Sequence, residues 1–207
     1  MGKIEIRNLL VSECYTNCYL CKNKETGEGF IVDPGENELK ISVNISKMEM
    51  KPVAIILTHG HYDHIGAVNA LKERYGIKVY VSEAEKELIG NKKMNLSSYF
   101  DSPMTIEADE FLKDGQKITL AGINMTFIAT PGHTPGSGCY YLEDNEILFS
   151  GDTLFHGSRG RTDFLGGSES EIMKSIREKL LKKLPDETAV LPGHNDSTTI
   201  GTEKVYY

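Results

Sequence analysis

"ILTHGHYDHIGA", residues 56–67, places three histidines and an aspartate within the six positions from His59 to His64. The chain has only six histidines in 207 residues, so half of them occupy one short segment. The segment continues an apolar run, "VAIIL", that reads as a buried strand. Imidazoles gathered behind a strand end are donors for a transition metal, whereas surface histidines would be scattered. His59 and His61, two residues apart, can reach one cation. Asp63 and His64 lie one turn further on and can reach a second.

The same arrangement recurs three times further along the chain. "MTFIATPG" leads to His133, "EILFSG" to Asp152 and "TAVLPG" to His194. Each time a buried strand stops and a candidate ligand follows, with Gly132, Gly151 or Gly193 permitting a close turn. Strand ends are rigid and lie side by side in a sheet, so residues just past them converge. The set is His59, His61, Asp63, His64, His133, Asp152 and His194. Five imidazoles and two carboxylates exceed what one tetrahedral zinc needs; they suit two metals with a shared carboxylate and room for water. The sixth histidine, His156, lies outside this pattern and is a candidate substrate contact.

Between these motifs the chain mixes short strands with a few helices. "KIEIRNL", "NCYLCK" and "GFIVD" read as strands, with "DPGEN" as a turn. Glu38 to Met48 is weakly helical. "IGAVNALKERYG" reads as a helix stopped by Gly76, and "IKVYVS" as the next strand. In "SEAEKELI", Ser82 and Glu85 have capping-box spacing. Residues 91–109 are irregular and are expected to form a long loop over the site. "QKITLAGINMTFIAT" and "GCYYLEDNEILFSG" read as hairpins turning at Ala121–Gly122 and Asp144–Asn145. "SESEIMKSIREKLLKKL" is an amphipathic helix ended by Pro185. Strands then a helix, twice over, predict a two-layer sheet core with helices outside.

The composition is 39% hydrophobic and 26% charged, ordinary for a globular chain, and one domain over residues 1–207 is expected. A net charge of −7 gives no general attraction to nucleic acid or anionic membrane, so neither is expected as a partner. No apolar run is long enough to span a bilayer, and the first ten residues show neither a signal-peptide core nor a Ser or Thr at position 6 for myristoylation. A cytoplasmic location follows as the expectation. In "TNCYLCK" an odd offset puts Cys18 and Cys21 on opposite strand faces. With Cys14 and Cys139 they read as buried thiols and not as a metal cluster.

"THGHYDHIGA", "TPGHTPGS", "SGDTLF" and "LPGH" together resemble the signatures of the metallo-β-lactamase superfamily, with every ligand motif in order from residue 32 to 196. The resemblance implies an α+β fold, a four-layer αβ/βα sandwich with its metal site at one edge. It implies that His59, His61 and His133 hold one metal, that Asp63, His64 and His194 hold a second, and that Asp152 bridges. "LFHGSRGRTDFLGG" is similar to the glyoxalase II (hydroxyacylglutathione hydrolase) group, in particular its short single-domain members. Full-length glyoxalase II continues into a helical C-terminal domain that supplies much of its glutathione site, and no such domain is expected here. "GRTDF" is also similar to persulfide dioxygenases of the same fold, which use one iron at positions matching His59, His133 and Asp152. The flavodiiron pattern is a poorer match, with Glu where this chain has His61.

The expected chemistry is hydrolysis of a thioester or ester by a hydroxide shared between two divalent cations, oriented by Asp63. Zinc is the first expectation for the metals, with iron and manganese also suited to mixed His/Asp sites. An amide nitrogen needs a proton donor that these motifs do not supply. The alternative is a mononuclear iron persulfide dioxygenase. Asp33, Thr58 and Thr134 are candidates to hold the imidazoles, although a turn aspartate and β-propensity also account for them. Arg159 and Arg161 are candidates for an anionic substrate group; the competing reading pairs Arg161 with Asp163.

Overall fold

The apolar runs that precede the ligand motifs form the middle strands of two sheets. The computed structural model describes residues 3–207. Met1 and Gly2, the latter the residue a myristoyl group would modify, lie outside the described residues. The first sheet holds β1 (Ile4–Val11), β2 (Thr16–Asn23), β3 (Glu28–Val32), β4 (Lys51–Ile56), β5 (Lys78–Ser82) and β6 (Glu110–Leu112), side by side in that order. Strands β1 to β3 pair antiparallel, and β3 to β6 pair parallel. Parallel neighbours need crossover connections. Two of these carry α1 (Glu38–Lys47) and the pair α2 (Tyr62–Ile65) and α3 (Val68–Tyr75). The third carries a 3-10 turn (Glu83–Glu85), the short α4 (Lys86–Ile89) and the irregular segment to residue 109.

The second sheet holds β7 (Lys117–Leu120), β8 (Ile123–Ala129), β9 (Gly138–Leu142), β10 (Ile147–Gly151), β11 (Ala189–Pro192) and β12 (Thr198–Thr199). Strands β10 and β11 pair parallel, joined through α5 (Glu169–Lys174), and α6 (Ile200–Glu203) follows β12. Between the sheets, Tyr19, Phe30 and Ile56 meet Phe127, Tyr140 and Phe149. Rings of Tyr19 and Phe30 lie 5.3 and 6.3 Å from that of Phe149. Outside the first sheet, Ile31, Ile55 and Val79 pack on Ile41, Ile45, Val68 and Leu71. Outside the second, Leu148 and Val190 pack on Ile172, Ile176 and Leu180. The layers run helix, sheet, sheet, helix, the α+β sandwich expected from the motifs. Central strands are buried on both faces, so they read as continuous apolar runs without alternation.

Several local readings are corrected. The helix expected from Ile65 to Gly76 is broken at Gly66–Ala67, because the Gly35 carbonyl lies where a Gly66 Cβ would sit and Ala67 N donates to Pro34 O. The amphipathic helix before Pro185 is α-helical only over Glu169–Lys174 and continues as a π-helix over Ser175–Leu181. The capping box does not form: Ser82 Oγ accepts from Ala84 N, but Glu85 turns inward and is buried. Cys18 and Cys21 enter different cores on opposite faces, as their offset requires, and Cys139 is buried too. Cys14 is not a buried thiol; it is exposed in the turn between β1 and β2. Strands β6 and β12 are too short to show a period. Among the described residues no helix is long and apolar enough to cross a membrane.

Two buried phenols link the sheets by hydrogen bond. Tyr140 OH donates to Leu57 O at 3.0 Å, and Tyr19 OH donates to Pro192 O at 2.7 Å. Removing one bond inside a packed core costs about 1–3 kcal/mol when the carbonyl is left unpaired. Tyr140→Phe should lower unfolding stability in urea by that amount without changing the fold. An unchanged midpoint would show that Leu57 O finds another partner.

Candidate metal centre

Four strand ends on the same edge of the sandwich supply the ligand motifs. β4 runs into His59, His61, Asp63 and His64, β8 into His133, β10 into Asp152, and β11 into His194. Donor atoms of His59, His61 and His133 lie within 4.8 Å of one another, as do those of Asp63, His64 and His194. Asp152 stands between the two groups. Its Oδ1 is 3.4 Å from His64 Nε2, and its Oδ2 is 3.5 Å from both His133 Nε2 and His194 Nε2. Backbone close approach makes this possible. A Cβ on Gly193 would sit 2.2 Å from Asp152 Oδ1, and one on Gly151, whose φ is +50°, would meet Thr58 Oγ1 at 2.3 Å.

Four of the five imidazoles are anchored through the nitrogen that faces away from the centre. Asp33, just past β3, accepts from Thr58 N (2.8 Å) and Thr58 Oγ1 (2.7 Å). His64 Nδ1 lies 3.0 Å from Asp33 Oδ2, and His59 Nδ1 lies 3.2 Å from Thr58 Oγ1. Since Thr58 gives its proton to Asp33, it accepts from His59. His133 Nδ1 donates to Arg161 O at 2.7 Å and His194 Nδ1 to Cys14 O at 3.1 Å. A carbonyl only accepts, so these Nδ1 atoms carry hydrogen and each Nε2 lone pair is left for a ligand. His61 is the exception. Its Nδ1 faces His133 Nε2 at 2.9 Å, and its Nε2 has no partner among the described residues.

His59 Nε2, His61 Nε2 and Asp152 Oδ1 are buried with no hydrogen-bond partner among the described residues. Such groups are costly unless something binds them. Nitrogen and carboxylate donors aimed into one space fit divalent cations such as zinc, iron or manganese.

Sequence reasoning did not identify Thr16, Asn17 or Glu85. Thr16 Oγ1 donates to Asp63 Oδ2 at 3.1 Å. Asn17 Nδ2 donates to Pro192 O and Asn195 O, holding the loop that carries His194. The Asn17 contacts join β2 to positions 175 and 178 residues away, and no local pattern encodes them. Thr134 does support the site, but through Glu85 Oε1 at 2.7 Å.

The centre opens into a cavity of about 990 Å³ between the 91–109 segment and the turns after Asp152. Its walls include Leu96, Tyr99, Phe100, Phe155, Phe164 and Leu165. Tyr99 is 76% exposed and Leu165 68%, an apolar rim left in water. Arg159 and Arg161 also line the cavity, yet both are paired. Arg161 Nε and Nη2 reach the two oxygens of Asp163 at 2.6 and 2.7 Å, and Arg159 pairs with Glu169. His156 is exposed and does not line the cavity; in the tight Phe155–Ser158 turn it is Phe155 that lines the wall.

The two groups differ in proton affinity. Burial, then the neighbouring His64 and His133 rings, lowers the His59 pKa well below its ordinary value, and burial with His133 lowers that of His61 to about 3. For His64 burial also opposes charge, but Asp63, Asp152 and Asp33 outweigh it and raise its pKa to about 10. For His194 burial is likewise outweighed, by the hydrogen bond to Asp63 and by Asp152, and its pKa is raised. Burial alone would raise Asp63, yet His64 and His194 hold it well below the usual carboxylate range. Without metal at neutral pH, His59 and His61 are therefore neutral while His64 holds a proton, and the shift at His194 favours one there too. Those protons compete with a cation and leave as pH rises. Zinc affinity of the metal-free protein should climb between pH 6.5 and 8.5, with proton release on loading at pH 7 measured by calorimetry in buffers of different ionisation enthalpy. An affinity that is flat across this range would contradict the assignment.

A model described as the metallo-beta-lactamase superfamily matches residues 11–194. Hydroxyacylglutathione hydrolase GloC of Haemophilus influenzae is 33% identical over 207 residues, covering 97% of this chain and 95% of that protein. The structure of BLEG-1 B3 metallo-beta-lactamase superposes with a TM-score of 0.92 at 36% identity, over 97% of both chains. That of TTHA1623 in a di-iron-bound form gives 0.84 at 32% identity, over 96% of both. With the sandwich, the order of the strand-end donors and the family match in agreement, the chain belongs to the metallo-β-lactamase superfamily.

Proposed function

We propose that this protein is a metal-dependent hydrolase of thioesters, with esters as secondary substrates, and that it works with two divalent cations, zinc foremost. One observation carries the reading: two three-residue donor groups meet at Asp152, on the floor of a cavity large enough for a small acyl thioester. The name borne by the Haemophilus influenzae relative supports the choice of substrate, and the di-iron form of TTHA1623 supports the metal number. When bound, the cations supply Lewis acidity, which lowers the pKa of water and polarises a carbonyl.

The chain's own groups do the rest. Asp63 stays ionised beside His64 and His194, and its carboxylate orients the attacking water by accepting a hydrogen bond from it, while the water's proton passes to solvent. Thr16 donates to Asp63 Oδ2, the oxygen that also faces His194, and so helps hold the carboxylate in place. The apolar walls hold the substrate and exclude bulk water, so the fixed charges act in a low dielectric. Water adds to the carbonyl carbon, the C–S bond breaks, and the thiol leaves as thiolate with little need of protonation. Lys93 lines the same cavity and, among the described residues, makes no ion pair. Glutathione carries two carboxylates, while Arg159 and Arg161 are already paired, so its thioesters should bind weakly and thioesters of smaller or more apolar thiols at least as well.

The test is turnover of S-lactoylglutathione and of a lactoyl thioester of a small thiol, with oxygen excluded. Both should be hydrolysed at their aerobic rates, the glutathione ester with high KM, and an oxygen electrode should show little uptake with glutathione persulfide. Rapid, iron-dependent oxygen uptake without thioester cleavage would replace this reading with a dioxygenase. Cleavage of a cephalosporin without cleavage of either thioester would replace it with a β-lactamase.

A further inference from the structure

Glu85 ends the 3-10 turn after β5 and is fully buried. Among the described residues it has no cationic partner. Its Oε2 accepts from Gly60 N at 2.8 Å, while its Oε1 accepts from Gly136 N at 2.8 Å and from Thr134 Oγ1 at 2.7 Å. Gly60 lies between His59 and His61, and Thr134 follows His133. One carboxylate thus spans the two loops that deliver three imidazoles to the first donor group. A buried carboxylate is expensive, and these donors offset its desolvation only if both loops come to it.

The packing enforces that approach. A Cβ on Gly60 would meet Ile89 Cγ2 at 2.5 Å and Leu88 Cδ2 at 2.8 Å, and one on Gly136 would meet Glu85 N at 2.6 Å. Both loops press directly on the turn that carries Glu85 and on α4 behind it. The consequence is largest for His61. The other four imidazoles are anchored by Thr58, Asp33, Arg161 O and Cys14 O, but among the described residues neither nitrogen of His61 has a partner outside the donor group. The placement of its ring therefore depends on its backbone, which is tied at Gly60 N on one side and, on the other, by Tyr62 N on Asn95 O and His64 N on His61 O.

We propose that Glu85 is a positioning residue for the first metal ion, a clasp that sets the separation of the His59–His61 loop from the His133–Thr134 loop. The proposal rests on the reading of His59, His61 and His133 as a metal group. Glu85→Gln keeps the volume but turns an NH2 toward a backbone N–H, releasing one loop. Thr134→Val removes a single hydrogen bond and serves if the first variant does not fold.

The experiment is competition for zinc against a chromophoric chelator, resolving the two affinities, beside circular dichroism and the melting temperature of the metal-free form. His61→Ala is measured in parallel. In Glu85→Gln the affinity of the first site should weaken roughly ten- to a hundredfold, the range for groups that orient metal ligands, while the second site changes less than about twofold. Thr134→Val should show a smaller loss of the same kind, and excess zinc should restore occupancy. Equal weakening of both sites, or only a lower melting temperature with unchanged affinities, overturns the proposal. If His61→Ala leaves both zinc affinities intact, the metal reading of that group has failed, whatever Glu85 does.

Discussion

Five imidazoles and two carboxylates share one space at the edge of the sandwich, most of them buried, and three of their polar atoms have no hydrogen-bond partner among the described residues. Burying such groups against one another is unfavourable unless cations fill the space between them. Much of the surrounding architecture answers this constraint. Two sheets end at the same edge so that four strand ends converge there. Asp33 and two backbone carbonyls hold the outward nitrogens, and glycines let Thr58 and Asp152 approach neighbouring backbone. A core packed on three faces keeps the edge rigid without help from the metal, in contrast to a zinc finger, whose fold depends on it.

The charge pattern divides the centre. In the first group His59 and His61 sit among like rings and are neutral at pH 7 without metal. In the second, His64 sits among Asp63, Asp152 and Asp33 and holds a proton that a cation must displace. Asp152 belongs to both environments, with one oxygen near His64 and the other near His133 and His194. The cavity above is of another character. Its guanidinium groups pair with Asp163 and Glu169, with Arg159 Nε left without a partner among the described residues, and its rim is aromatic and aliphatic.

Much of this was legible in the sequence because strand ends are local. An apolar run followed by Gly and His states both the element and the position of the ligand, and the four such runs foretold both the sheets and the edge. Asp33 was legible for the same reason, since it also follows a strand. The Arg161–Asp163 pair, two residues apart, was open to the same local reading. What local pattern did not reveal were contacts made across the fold. Ser82 and Glu85 have capping-box spacing, yet Glu85 is drawn inward by Gly60, Thr134 and Gly136, two of them some fifty residues on. Thr16 and Asn17 look like ordinary strand residues and act on Asp63 and the His194 loop only once β2 lies beside them. Helical periodicity placed α5 but carried no sign of the π-helical turn that follows it. Cys14 was misjudged because a thiol beside a strand is usually buried, whereas here it sits in the turn before the strand begins.

The central claim is that the seven donors form one centre for two cations with Asp152 shared. Elemental analysis of protein purified without added metal and then saturated tests it most directly, on the wild type and on Asp152→Asn. Two metals per chain in the wild type, with both affinities reduced in the variant, is the expected result. One metal per chain at saturation, or a variant that loses one metal and keeps the other at wild-type affinity, would contradict it.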